Sequence, residues 1–595
     1  MDYRLSISEV MHLTPPEVPH MSEPVKTFFG DESFPVEWED GQKELLWVHD
    51  DLHIPNPISP MYADIGGWWL KCDYMFRRFG TPFASDWIHK VINGYVYTAA
   101  IPATPGLSAE TTEYGARYTP RVPVDADYAG SIGGYLGWTL PTYAANFLDW
   151  WRDRLVPEIT TNFARLDTFD HEAAELVDLA ILLEDAIDVH DRHWAIHWVL
   201  NFSQFSSTMN LNAVIAETKG EGDHSALMGR LQSSTENRNW DSIEALYKLK
   251  EAVKADGGPV AEAFSSARDG AGVIANLQAS EEGRTFLAKE VDAYQADYGY
   301  KSMWAHEFAY TTWREDPTPV VDAIRGYLEV DYDYPAEIDA VAKDLEAAKA
   351  QCLDGVEGEQ LEKLRAALEL SLRMNPLTPD HHFYIDQGTN ARVRLVLMAI
   401  GRKLVEAGRL SEPDDVMFLK YNELRVLMAG SNGFDAEELV GDRRDAHEEA
   451  FEVRPRDWVG TATEEALAFP YLSLWAFPEK VTREPSDVEG QVLGLPASTG
   501  VVEGTARVVL SPEQFSQVER DEIVVCRMTS PAWVVLFTKI SGLVTDAGGM
   551  ASHPAVVSRE FGIPAVVGTS DATRRIQTGD RVRVNGGTGM VEVIG

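Results

Sequence analysis

The chain has 595 residues, 45% of them hydrophobic and 10% aromatic, and a formal net charge of −42 at pH 7. So large an acidic excess excludes a nucleic-acid partner, because a phosphate backbone needs clustered lysine and arginine. The length suits roughly three to four domains, and no run approaches the ~18 apolar residues of a membrane span. The start, Met1-Asp-Tyr-Arg-Leu-Ser, lacks a basic and then apolar leader. Cys72, Cys352 and Cys526 show neither a disulfide framework nor zinc spacing. A cytoplasmic protein is expected.

In chain order, residues 1–60 are proline-rich, with Trp47, Asp51, His53 and the run Pro55-Asn-Pro57-Ile-Ser59-Pro60. They are expected to lie extended over a folded body. Residues 61–165 are dense in aromatics, among them Trp68, Trp69, Tyr74, Phe76, Tyr135, Trp138 and Trp150. Ordinary core and the walls of a pocket for a flat apolar compound both fit this stretch. The spacing of Leu176, Leu179, Leu183 and Ile187 predicts a long helix over 170–210. His190, His193 and His197 follow along one of its faces. Metal ligands, a catalytic base and satisfied core histidines are all open readings, although no HExxH pattern accompanies them.

Amphipathic spacing predicts further helices at Trp240–Leu249 and Leu361–Leu372. His381-His382-Phe-Tyr384-Ile-Asp386-Gln387 then precedes a helix that carries Arg392 and Arg394 and ends near Gly408. Arginines at i and i+2 leave a helix on different sides, so only one is expected to face a site. A guanidinium donates paired hydrogen bonds to phosphoryl oxygens; pairing with surface acids is the plainer alternative. Residues 478–491 are polar and aperiodic, which predicts a linker. Beyond them the pattern changes to short β runs at 500–510, 522–526, 543–545 and 581–585, expected in a compact α/β domain.

Within that domain stands Thr545-Asp-Ala-Gly548-Gly549-Met-Ala-Ser552-His553-Pro554. A buried strand runs into a glycine turn whose backbone can take positive φ. Pro554 suits the first turn of a helix, which is expected to run to about Phe561 before Gly562-Ile-Pro564. His553 therefore opens a helix, where unpaired N–H groups favour an anion. A neutral imidazole there is a nucleophile able to hold a phosphoryl group, and a buried structural histidine is the plainer reading.

This stretch resembles the phosphohistidine swivelling domain of the PEP-utilising enzymes over some twenty-five residues. The resemblance rests on T-D-x-G-G-x-x-S-H-x-A and on R-E-x-G-I-P-A-V-V-G-T. It departs locally only at Pro554. The front half resembles the substrate domains of phenylphosphate-synthase-like and rifampin-phosphotransferase-like members. The residues that carry this are Trp47 to Pro60, Gly299 to Pro317 and His381 to Leu419. The resemblance to the subunit that makes phenylphosphate or 4-methylphenyl phosphate is taken as the nearer one.

The resemblance implies a large, mainly α-helical substrate-binding domain at 1–477 and a linker at 478–491. A compact α/β phosphohistidine swivelling domain would follow at 492–595. It implies His553 as phosphoryl carrier on a loop built by Thr545, Gly548, Gly549 and Ser552. Arg392 or Arg394 would hold the phosphoryl group, and His193, His197, His381 or His382 would act as base. Trp68, Trp69, Tyr384 and Asp386 would contact substrate. The sequence shows no GxxxxGK[ST] loop, nothing like an ATP-grasp domain and no PEP-binding barrel after His553. A separate ATP-grasp subunit with ATP and Mg²⁺ is therefore expected to charge His553, releasing AMP and phosphate. The expected acceptor is p-cresol or phenol. A rifamycin-type antibiotic is the alternative, and a non-catalytic phosphocarrier the third reading.

Overall fold

The computed structural model describes residues 23–39, 41–71, 84–102, 139, 142–220, 224–431, 433–467, 472, 477–483, 486, 488–510, 512–530, 533–549 and 552–595. Cys72, Tyr74, Phe76, Tyr135 and Trp138 lie outside these residues. The chain divides into two compact units. The first holds residues up to Ser203, His306–Ala309 and Arg392–Arg483; the second holds Gln204–Ala305, Tyr310–Ala391 and Glu484–Gly595.

The first unit is not wholly helical. Its sheet has five strands: β1 (Lys26–Phe28), β2 (Leu46–His49), β3 (Ala84–Ile92), β4 (Tyr95–Pro102) and β5 (Trp458–Ala462). Their order is β1-β5-β2-β4-β3, and each pairing is antiparallel. Two of these strands come from the proline-rich segment expected to be irregular. Trp47, Tyr95, Tyr97 and Val459 pack with Phe34 and Leu45 into the core of this sheet. The proline run that follows β2 is pinned by a buried carboxylate: Ser59 donates to Glu307 through both its backbone N–H, at 2.7 Å, and its hydroxyl. Helix α1 (Leu176–Lys219) is longer than its sequence periodicity predicts and supplies residues to both units.

The second unit joins helices to an eight-stranded sheet. Helix α2 (Arg238–Asp256) starts at an Asn237 cap, whose side chain accepts from the N–H groups of Asn239 and Trp240. Residues His382–Gln387 widen into a π-helical turn before helix α3 (Gly388–Glu406), whose first turn belongs to this unit. The strands are β6 (Gln491–Leu493), β7 (Leu495–Ser498), β8 (Val501–Val509), β9 (Ile523–Cys526), β10 (Gly542–Thr545), β11 (Ala565–Val567), β12 (Arg581–Asn585) and β13 (Met590–Val593). The order is β6-β13-β12-β8-β9-β10-β11-β7, with β8 to β11 parallel and the flanking pairs antiparallel.

The parallel strands read as continuous apolar runs because both faces are covered. On one face Val524, Leu543 and Ala565 join a core with helical residues that include Trp240, Val320 and Ile324. On the other, Val525, Val544 and Val566 pack with Ala572, Ile576 and Val584. Alternation by one residue sends neighbours on a strand to opposite faces. Of the stretch expected as a linker, Phe477–Thr482 is a helical turn and Gln491 begins β6.

Candidate active site

Adjacent parallel strands deliver their following loops to the same edge of the sheet, and that brings two distant residues together. Thr529 follows β9, and the glycine turn follows β10. Helix α4 (His553–Glu560) opens at the histidine. Gly548 holds φ at +107°, and a Cβ there would lie 2.8 Å from Ser552 Oγ. The turn is closed by its own hydrogen bonds. Thr545 Oγ1 donates to the Ala547 carbonyl and Ser552 Oγ to the Gly549 carbonyl, each at 2.6 Å. These are the roles the structure gives to Thr545, Gly548, Gly549 and Ser552. Gly562, at φ +62°, ends the helix as expected.

His553 Nδ1 lies 2.9 Å from Thr529 Oγ1. Its Nε2 is buried and has no hydrogen-bond partner among the described residues. Burial, followed by the nearby His382 and Lys301, pushes the imidazole down to about 3, so it is neutral at physiological pH. In the tautomer whose Nδ1–H donates to Thr529, the lone pair stands on Nε2. That ring borders a pocket of about 50 Å³, lined also by Arg238, Lys301, His382, Gln387 and Val556.

The helical side of this pocket is where sequence reasoning fell short. Arg238 opens α2. Its guanidinium lies over the rings of Phe383 and Tyr298, at 4.4 and 5.3 Å. One edge donates to Asp241 at 2.9 Å, while Nε has no partner among the described residues. Lys301 is buried and donates to the Ser242 hydroxyl. Burial, followed by Arg238, brings its ammonium down to about 7. Arg238 stood in no recognisable motif, and its one available signal was the Asn-Arg-Asn cap at the start of an amphipathic helix. Lys301 lies in the Gly299–Pro317 stretch that carries the family resemblance, but was not singled out there.

His382 Nδ1–H donates to the buried Asp386 carboxylate. Asp386, expected to contact substrate, is thus engaged with a histidine instead. His381 is buried beside it, with rings 4.2 Å apart and Nδ1 2.8 Å from the Leu377 carbonyl. Tyr384 packs edge-on to Phe383 at 5.0 Å.

The remaining expected residues lie in the first unit. Arg392 makes a two-pronged pair with Asp167, at 2.8 and 2.6 Å, over the ring of Phe163. Arg394 donates to the Phe308 carbonyl at 2.6 Å. Both guanidinium groups are therefore used in holding helices and loops of that unit. His193 Nε2 meets the Asn162 amide at 3.2 Å, and His197 Nδ1 meets the Asn201 amide at 3.2 Å. Trp68 donates to Asp50 at 2.5 Å, and Asp50 also takes His53 Nδ1 at 2.9 Å. Trp69 stacks on His89 at 4.8 Å. These side chains are core members with named partners. Among the described residues, no helix is long and apolar enough to cross a membrane.

Two known domain families match the chain. Residues 518–589 match the mobile domain of PEP-utilising enzymes, and residues 197–376 match the rifampicin phosphotransferase fourth domain. Chondramide synthase cmdD of Chondromyces crocatus is 28% identical over 595 residues, covering 94% of this chain and 14% of that protein. The uncharacterized phosphotransferase YvkC of Bacillus subtilis (strain 168) is 28% identical over 399 residues, 67% of this chain and 47% of its own. A rifampicin phosphotransferase of Streptomyces sviceus is 39% identical over 198 residues, 33% of this chain and 21% of its own. The chain spans less than half the length of each of these relatives. Where the motifs suggested phenylphosphate synthase as the nearer likeness, the Streptomyces sviceus relative and others from Bacillus cereus and Bacillus subtilis carry the name rifampicin phosphotransferase instead. The chain thus combines an α/β region similar to the mobile domain of PEP-utilising enzymes with a helical region similar to the rifampicin phosphotransferase fourth domain.

Proposed function

We propose that this chain is a phosphotransferase component that carries a phosphoryl group on His553 and passes it to the hydroxyl of an organic acceptor. The observation behind this reading is the buried Nε2 of His553, without a partner among the described residues, on a ring that borders a pocket shared with Arg238, Lys301 and His382. The Nε2 lone pair takes the phosphoryl group, and Thr529 keeps the proton on Nδ1. In the transfer step the acceptor oxygen forms its bond to phosphorus as the P–Nε2 bond breaks. The electron pair returns to His553, which leaves as a neutral imidazole. The hydroxyl proton goes to Nε2 of His382, whose Nδ1–H is held by Asp386. A loose transition state of this kind needs positioning and positive charge more than covalent help.

The relatives' names favour a bulky hydroxylated acceptor of the rifamycin type as the first substrate to try. A one-ring phenol such as p-cresol is the second, prompted by the tryptophans Trp68, Trp69, Trp87 and Trp198 clustered in the first unit. The donor we assign is ATP with Mg²⁺ on a separate ATP-grasp subunit, and the 492–595 domain would swing on residues 478–491 to reach it. Intact-mass analysis tests the reading. The chain with Mg·ATP and the candidate partner should gain one phosphoryl group, and the His553→Ala variant none. The charged chain should then lose it to a rifamycin or a phenol, with a phosphate ester as product. Labelling that survives in His553→Ala would sink the relay, and a label that no acceptor removes would leave a phosphocarrier.

A further inference from the structure

We propose that Arg238 and Lys301 form the phosphoryl-holding half of the His553 site, Arg238 as a fixed charge and Lys301 as a charge taken up when a dianionic group arrives. This rests on the phosphohistidine reading above. The geometry is that of an unfinished anion site. Arg238 spends one edge on Asp241 and leaves Nε buried without a partner among the described residues. Its face is fixed by Phe383, Tyr298 and Tyr384, so the planar fork loses little freedom on binding. The pocket between these cations and His553 has about 50 Å³ to offer, room for a tetrahedral oxyanion. Among the described residues neither cation has a buried carboxylate of its own there, since Asp241 is half exposed and Asp386 is engaged with His382.

Lys301 faces few groups that could fix its charge. The Ser242 hydroxyl accepts from it and is shared with Tyr294 at 2.9 Å. The Trp313 ring lies 5.3 Å from its nitrogen. Among the described residues, Arg238, His382 and His553 are the titratable or charged groups that line the same pocket. Burial and the repulsion of Arg238 hold its ammonium at about 7. A dianion in the pocket reverses that balance, and the amine takes a proton from solvent. Phosphorylation of His553 would therefore charge Lys301, and loss of the phosphoryl group would discharge it. The same cations would stabilise the charge spread over the transferring group.

Sulfate is the probe, because it stays a tetrahedral dianion from pH 6 to 9. Calorimetric titration of the full chain should give saturable binding that weakens by about tenfold or more across that range, the signature of one linked proton. Lys301→Arg should bind with little pH dependence, since a guanidinium stays charged. Arg238→Gln should bind about tenfold more weakly at pH 6, with the pH dependence moved to higher pH because the repulsion of Arg238 on Lys301 is gone. His382→Asn should also keep the slope. No saturable binding by the parent chain, or a slope that persists in Lys301→Arg and vanishes in His382→Asn, would overturn the proposal. Chemical phosphorylation with phosphoramidate separates this from the relay itself. If His553 is labelled but sulfate does not bind, the cation pair is wrong and the carrier stands. If sulfate binds with the expected slope but His553 stays unlabelled, the carrier is wrong and the anion site stands.

Discussion

Burial pushes the imidazoles of His553 and His193 to the same place, about 3 in both cases, so both are neutral at physiological pH. Their surroundings differ. His193 offers Nε2 to the Asn162 amide and lies edge-on to Phe163, a ring with its polar edge answered and its faces packed. His553 is tied to Thr529 through Nδ1, its Nε2 has no partner among the described residues, and its ring borders a pocket with two cations and a second histidine. A depressed pKa therefore reports desolvation in both units and a reactive site in neither by itself. What singles out His553 is an open nitrogen beside charges that have a use for a dianion.

The most direct way to break this comparison is to exchange the fates of the two rings. His553→Ala should lose phosphoryl uptake completely by intact mass, whereas His193→Gln should keep it at parent level. Uptake lost in both would make the α1 histidine part of the chemistry. The accepting side comes next in size. His382→Asn should slow transfer from charged His553 to acceptor by roughly 10²–10⁴-fold, with uptake unchanged, in a single-turnover assay. Equal transfer rates would remove His382 as base.

Smaller effects test the structural side. His193→Ala leaves the Asn162 amide without its partner, and Arg392→Leu leaves Asp167 without its two-pronged donor. Each should cost about 1–3 kcal/mol in urea unfolding, with uptake at His553 intact. The smallest effect is on pH dependence. A histidine held near 3 in the fold and near its ordinary value when unfolded binds more protons unfolded throughout that interval. Stability then rises with pH there, by at most about 1.4 kcal/mol per pH unit for each ring. It is lost as pH falls below about 6.5 and fully lost near 3. Unfolding midpoints at pH 5 and 7 should differ less in His193→Gln than in the parent; an unchanged difference would mean the ring is not buried as described.

Much of the second unit was readable in advance. The apolar runs of β9 and β10, the glycine turn and Pro554 at the start of α4 fix backbone geometry within a few residues, and these local rules placed His553 at a helix start. The first unit was less readable. Proline punctuation around Trp47 hid β2, because an antiparallel strand gains its identity from partners such as β5, more than four hundred residues away. Arg392 and Arg394 looked like phosphoryl ligands because a guanidinium is chemically fit for that task. Asp167 and the Phe308 carbonyl had an equal claim on them, and no local spacing reveals such partners.

By itself, the sequence determined the local setting of His553: the histidine, its turn and its helix are one contiguous stretch whose backbone preferences agree. Only the tertiary structure decided what faces it. Arg238 comes from the first turn of α2, Lys301 from the non-helical stretch after a helix that ends at Tyr298, and Thr529 from the loop after a neighbouring strand. They meet His553 because parallel strands end on one edge and a shared core holds the α/β sheet against the helices. Local rules act over the few residues of a turn, while the electrostatics of a site sum over whatever the packing brings within reach.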